Sequence, residues 1–326
     1  FFSMLSGFSQ IQINIDVKKN NQPISPLIYG SNTGESISTA VRFGGNRTTA
    51  YNWENNCSNA GADYNNSSDM NLAEPLPAEN RSKPGEVIIN FAQNANKNNQ
   101  YKLVTLQAAG YVAADAKGQV ADSQAVTKSL TRWKKVSFNK NSEYSLTPDV
   151  NDSVVYIDEL VYFLREKLGI VGNGGIDAFV IDNEADLWSS THSLIHPKPT
   201  TVAEILSKSK NLALAVKEIS PEAEFYGPAS YGWTGYSNFL APDYTSYAGK
   251  YDWFLSAYLD KMRVESENSG KRLLDVLDIH WYPEAKANNI RIVDLGGSYS
   301  QETMTTTAMI NARLQAPRSL WDSTYS

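Results

Sequence analysis

Residues 176–188 read Ile-Asp-Ala-Phe-Val-Ile-Asp-Asn-Glu-Ala-Asp-Leu-Trp. The first half, Ile176–Ile181, is almost unbroken apolar sequence. That is the composition of a strand buried on both faces, as in a parallel sheet. The second half turns polar at once, with Asp182, Asn183, Glu184 and Asp186 ahead of Trp188. Two explanations compete. A strand can end and run into a helix cap, or a buried strand can deliver a carboxylic acid to a cleft. What surrounds the stretch bears on the choice.

Outward from it, short apolar strands alternate with helical patterns. Strands are expected at Leu27–Gly30, Thr39–Phe43, Tyr101–Leu106, Ile176–Ile181, Ala223–Gly227 and Leu274–His280. Helices are expected at Glu86–Asn98, Val154–Leu168, Val202–Ile219, Lys250–Asn268 and Gln301–Arg313. Val154, Ile157, Val161, Leu164 and Leu168 fall on one face at the helical period, as do Val202, Ile205, Leu206, Leu212, Ala213 and Val216. Repeated strand–helix units imply a parallel α/β sheet, either doubly wound or a TIM-like (β/α)8 barrel. No phosphate-binding glycine fingerprint follows the early strands, since Phe43-Gly44-Gly45-Asn46-Arg47 is not GxGxxG. Polar or aromatic clusters follow the strands instead: Gly44-Gly45-Asn46, Asn183-Glu184, Pro228–Trp233 and His280-Trp281-Tyr282. Functional groups at successive carboxyl ends are the habit of the barrel, which is the expected fold.

Only six such strands can be read, where a barrel closes with eight. A barrel lacking two strands leaves open edges, so the sequence is expected to be part of a longer chain. Residues 26–326 make the barrel portion. Residues 1–25 stand apart, because Ile11, Ile13, Ile15 and Val17 alternate with polar residues, the pattern of a half-buried strand. The apolar opening Phe1–Leu5 is set aside from the fold reading.

The composition narrows the function class. In 326 residues, 41% are hydrophobic and 20% charged, and the net charge is −6 with scattered Lys and Arg. That gives a globular chain without a nucleic-acid or anionic-membrane surface. No apolar run approaches the ~20 residues that span a bilayer. One cysteine, Cys57, allows no internal disulfide, and the 3 histidines form no close metal pattern. The 18 Tyr and 7 Trp are many, and often sit beside Gly, Asn or Pro. Such rings serve as core residues with a polar handle or as stacking platforms for sugars or bases.

Glycoside hydrolysis needs a carboxylic acid to protonate the leaving oxygen and a second carboxylate across the anomeric carbon. Glu184, at a partly buried strand end beside aromatics, suits the acid. Asn183 can hydrogen-bond a sugar hydroxyl. Asp182 is expected to point away, and Asp186 is offset by two residues.

Several blocks make a more specific pattern: Val41-Arg42-Phe43-Gly44-Gly45-Asn46-Arg47, Ala50–Asn56, Ser58–Gly61, Ala109–Val112, Asp182–Trp188, Ser230–Trp233 and Asp278–Pro283. In order and content they resemble glycoside hydrolase family 44, the endoglucanases and xyloglucanases of a retaining (β/α)8 clan. Ala185 stands where the family pattern has Pro after the catalytic Glu, a change of loop stiffness. The resemblance implies Glu184 as general acid/base in a retaining endo-β-1,4-glucanase acting on cellulose-like glucans and xyloglucan, a β-1,4-linked polysaccharide. It implies a nucleophilic Glu ending strand seven in a Thr-Glu-Tyr context, which does not occur before Ser326. Glu284 follows strand six and is not assigned that role. The resemblance also implies a β-sandwich, to which Ile11–Val17 would contribute a strand.

Around Glu184, Arg42 and Asn46 either orient the carboxylates and bind sugar hydroxyls, or Arg42 is a structural ion-pair partner. His280 and Tyr282 end strand six, and Trp53, Trp188, Trp233 and Trp321 are candidate stacking rings. No catalytic cofactor is expected. A structural calcium is implied, with Glu54, Asp149 and Asp152 as hard oxygen donors, although Asp152 also suits a helix cap. The protein is expected to be secreted and monomeric, with carbohydrate-binding modules as possible attachments. Xylanase or mannanase specificity remains an alternative. So does a non-catalytic carbohydrate-binding protein, were the chain to end at Ser326.

Overall fold

The computed structural model describes residues 16, 18–19, 22–32, 36–283, 285–293, 297–320, 322 and 324–325. Its centre is a 6-stranded parallel sheet in sequential order. The strands are β1 (Gly30–Ser31), β2 (Ala40–Phe43), β3 (Tyr101–Leu106), β4 (Ala178–Ile181), β5 (Glu224–Ser230) and β6 (Val276–Ile279). The crossovers run through helices α1 (Glu86–Lys97), α2 (Ile157–Leu168), α3 (Val202–Ile219) and α4 (Phe254–Ser269). Neighbouring helices contact one another around the outside, α1 on α2, α2 on α3 and α3 on α4.

The all-apolar β4 is explained by having two buried faces. Phe179 and Ile181 join the main core, which also holds Ile157, Leu160, Ile205, Leu212 and Val216 of the helices. Ala178 and Val180 face the other way, into a small inner cluster with Tyr226, Ala229, Tyr101 and Leu103. Successive side chains of a strand alternate in this way.

The sheet is curled, and one ion pair reports it. Arg42 on β2 and Asp278 on β6 are separated by β3, β4 and β5, yet Arg42 Nη1 lies 3.0 Å from Asp278 Oδ2. A flat sheet cannot bring those strands together. Among the described residues β1 and β6 are the edges, and the apolar side chains of Val276, Leu277 and Ile279 on β6 are each more than a third exposed. The architecture is therefore a TIM-like half-barrel of six strands, without eight-strand closure among the described residues.

Several boundaries differ from the sequence reading. Residues 26–28 form a 3-10 turn, not a strand, because Ser25 caps it and Pro26 sets its first dihedral. Val154–Tyr156 is a strand paired with Trp133–Ser137, and the helix begins only at Ile157. The Gln301–Arg313 pattern is broken into Gln301–Met304 and Thr307–Gln315, each capped by its own hydroxyl, Ser300 and Thr306. Of the expected Ile11–Val17 strand all residues but Asp16 lie outside the described residues, as do Glu284 and Trp321. No described helix is long and apolar enough to cross a membrane.

Candidate active site

The carboxyl ends of β2, β4, β5 and β6 surround a cleft of about 560 Å³. Its lining includes Arg42, Asn46, Asp63, Asn183, Glu184, Tyr231, His280, Trp281 and Tyr282. The sequence-predicted residues Glu184, Asn183, Arg42, Asn46, His280 and Tyr282 are thus brought together.

Glu184 is held by its backbone. Asp182 (φ 44°) and Glu184 (φ 47°) both take the left-handed conformation that favours glycine. Such residues cost about 1–3 kcal/mol each and persist only where their surroundings fix them. Here Asp182 is fully buried. Its carboxylate accepts from Thr49 Oγ1 (2.6 Å), the Asn183 amide (2.8 Å), the Ala109 amide (3.0 Å) and, at very short range, the Ala108 amide. The Glu184 amide donates to Ala229 O at 2.9 Å. Ala229 offers that oxygen from a register shift between Pro228 and Ser230, a bulge that re-aims the strand end.

The Glu184 side chain meets His280, with Nδ1 to Oε1 at 2.7 Å. His280 is itself fixed, since its amide donates to Ser230 O at 2.9 Å and its carbonyl accepts from the Tyr236 hydroxyl. At that distance one partner must carry the proton. His280 donates when Glu184 is ionised, and Glu184 donates when it holds the proton. The pair can therefore support a carboxyl that alternates between acid and base. Beside it, the rings of Tyr231 and Tyr282 stack at 5.4 Å and 27°.

Other contacts define the supporting structure. Asn46 donates from Nδ2 to Asp63 Oδ2 (2.8 Å) and Ala60 O (3.2 Å). Its own carbonyl lies 2.9 Å from Nε2 of His192. Burial pushes His192 down to about 4, so this imidazole is a neutral anchor for the loop. Arg42 is an ion-pair partner of Asp278 that also lines the cleft, and its Nη2 makes no hydrogen bond among the described residues.

The tryptophans divide. Trp53 and Trp188 are fully buried, with Nε1 donating to Tyr156 O and Asn183 O respectively. Neither offers a face to a glycan, which corrects the stacking role expected of them. Trp233 is 60% exposed but lies outside the cleft lining, edge-on to Trp253 at 4.9 Å. Trp188→Phe is therefore expected to lower stability by about 1–2 kcal/mol through the lost indole bond and contacts, with KM unchanged. Thermal melting beside saturation kinetics checks it.

The calcium donor set does not fit a bound cation. Lys134 Nζ lies 2.8 Å from Glu54 and 3.7 Å from Asp152, so an ammonium already sits between those carboxylates. Asp149 Oδ1 accepts the Asn151 amide. No cluster of three or more His, Cys, Asp or Glu side chains suited to a metal occurs among the described residues. Asp152 accepts the Val154 amide at 3.0 Å as a turn. It does not cap the helix, which starts later.

Two buried acids bear on pH. Burial pushes Glu54 up to about 7 against the pull of Lys134. Burial also pushes Asp186 up to about 7, against the pull of the Tyr231 amide and with a further push from Glu184. Asp186 in an unfolded chain ionises near its ordinary value of 3.8. The folded state thus binds the extra proton through the window from about 4 to 7. The stability this proton contributes is fully present below about 4, falls as pH rises through that window and is gone by about 7. Asp186→Asn removes this loss, so its Tm relative to wild type should improve from about pH 5 to about pH 8.

Sequence reading missed Tyr231, Trp281 and Asp63. Tyr231 and Trp281 sat in aromatic clusters already noted after strands five and six. Asp63 carried no local signal, because only the fold brings it to Asn46.

A curled parallel sheet with Asn-Glu ending its fourth strand and His-Trp-Tyr ending its sixth is the scaffold of a barrel-type glycoside hydrolase. The comparisons give the family. The model of glycoside hydrolase family 44 matches residues 57–285, and the chain belongs to that family. It is 44% identical over 330 residues to endoglucanase A of Paenibacillus lautus, covering 99% of this chain and 46% of that protein. It is 44% identical over 323 residues to the β-mannanase/endoglucanase A of Caldicellulosiruptor saccharolyticus, covering 97% of this chain and 24% of that protein. The structure of a family 44 xyloglucanase from Paenibacillus polymyxa superposes with a TM-score of 0.88 at 45% identity, covering 95% of this chain and 61% of that one. The chain thus spans less than half the length of the two curated relatives.

Proposed function

We propose that this chain carries the acid/base half of a retaining endo-β-1,4-glucanase acting on cellulose-like glucans and xyloglucan. The supporting observation is Glu184 itself, set in a left-handed backbone at the end of β4 and hydrogen-bonded to His280 inside the cleft. Glu184 protonates the glycosidic oxygen while a second carboxylate attacks the anomeric carbon. The Glu184 carboxylate, stabilised by the His280 N–H, then takes a proton from the water that releases the sugar. The two carboxyl groups of such a pair stand about 5–5.5 Å apart.

The second carboxylate is not assigned to a described residue. Asp182 is consumed by its donors, Asp186 by the Tyr231 amide, and Asp278 by Arg42. A strand beyond β6 in a full (β/α)8 barrel would supply it, and the exposed apolar edge of β6 favours such a neighbour. A β-sandwich, secretion, a single-chain state, linked carbohydrate-binding modules and catalysis without a cofactor complete the proposal. Mannanase or xylanase specificity is the second reading, and for mannanase the β-mannanase/endoglucanase A of Caldicellulosiruptor saccharolyticus is the observation in its favour.

The test is release of reducing sugar from carboxymethylcellulose, xyloglucan, mannan and xylan by the full-length protein and its Glu184→Gln variant. Undiminished hydrolysis by the variant on every substrate would remove Glu184 from the mechanism.

A further inference from the structure

Asp186 has no part in the proton transfers above, yet it is a carboxyl with only 4% of its surface exposed. It sits on the short turn Ala185–Leu187 that leaves Glu184. Both of its oxygens accept the Tyr231 amide, at 3.1 and 3.2 Å. The turn Trp233–Ser237 closes over it so tightly that a Cβ on Gly235 would lie 2.5 Å from Asp186 Oδ2. One carboxylate thus ties the segment carrying Glu184 to the loop that follows β5.

That loop carries a wall of the cleft. Tyr231 stacks on Tyr282, and Tyr282 meets His280 edge-on at 6.5 Å and 81°. The three rings and Glu184 line the same space. Sinking a carboxyl into the protein is costly unless its hydrogen bonds are well used. A bond to one amide would be poor return unless the place of that amide mattered.

We infer that Asp186 is a positioning residue for sugar recognition: its carboxylate fixes the Tyr231 amide, and so sets the Tyr231–Tyr282 wall against Glu184. The ligand is a pyranose ring of a β-1,4-glucan, stacked on the wall beside the point of cleavage. The inference rests on the reading of Glu184 proposed above.

Its test measures KM and kcat on xyloglucan, with thermal melting, in the full-length protein. Asp186→Ala is expected to raise KM about tenfold with kcat changed less than about threefold, since the released amide lets the wall drift. Asp186→Asn keeps an acceptor oxygen and is expected to restore KM to within about twofold of wild type. A merely structural role would lower the Tm of Asp186→Ala and leave KM alone. Tyr231→Ala covers the case in which Asp186→Ala fails to fold. It keeps the amide, removes the ring and must raise KM at least as much. Wild-type KM in either folded alanine variant overturns the inference. Should Glu184→Gln stay active in the same assay, the reading of Glu184 fails instead. An inactive Glu184→Gln beside a wild-type KM in the alanine variants sinks the inference alone.

Discussion

Glu184→Gln is expected to lower kcat on xyloglucan by about 10²–10⁴-fold, the usual worth of a positioned general acid/base. The substitution changes little besides the proton. Gln matches Glu in shape, and its amide oxygen can still accept from His280 Nδ1 across the same 2.7 Å gap. The left-handed backbone at Glu184 is fixed from outside the side chain, by Ala229 O and by the donors around Asp182. Melting temperature should therefore stay close to wild type while turnover collapses. Circular dichroism and reducing-sugar release on the same preparation read the two together. A fall in kcat accompanied by a fall in Tm of many degrees would point to a structural role for Glu184 instead.

The parts of this site legible in the sequence were those carried by local pattern. Ile176–Ile181 read as a doubly buried strand because nearly every residue is apolar, and the polar group beyond it had to lie at a carboxyl end. Val202–Ile219 was read to its observed limits. Its apolar period is clean, and Thr201 caps the Glu204 amide at 3.0 Å. Partners set by the fold were not legible. Lys134 lies far from Glu54 in sequence, so a carboxylate that looked like a metal donor turned out to be half of a buried ion pair. Trp53 and Trp188 looked like Trp233, because sequence does not tell an indole against a helix from one facing solvent. Val154–Tyr156 followed the helical period of the next turns, but pairing with Trp133–Ser137 claimed it as a strand. In each case a distant partner outweighed a local preference.

The largest expected loss of stability is at Asp182. Asp182→Ala should lower Tm by about 10 °C or more and abolish hydrolysis with it. The carboxylate is fully buried and takes hydrogen bonds from the Thr49 hydroxyl and the amides of Ala108, Ala109 and Asn183. An alanine leaves all of these donors without an acceptor and opens a small void. Each orphaned buried donor costs about 1–3 kcal/mol, so together they approach the ~5–15 kcal/mol that holds a domain folded. At about 2 °C per kcal/mol for a chain of this size, the shift in Tm is large. Asp182→Asn separates the causes. Its one carbonyl oxygen can satisfy part of the donor set, while its amide nitrogen meets donors where it needs an acceptor. It should fall between wild type and alanine in Tm. The loss of activity follows from the same contacts, because Thr49 leads into β2's loop, Ala108 and Ala109 into β3's, and Asn183 into the turn bearing Glu184. One carboxylate pins three strand ends that must agree for the Glu184–His280 pair to form. A Tm of Asp182→Ala within about 2 °C of wild type would mean that these donors find water or other partners, and that the strained turn at Glu184 is held by something else.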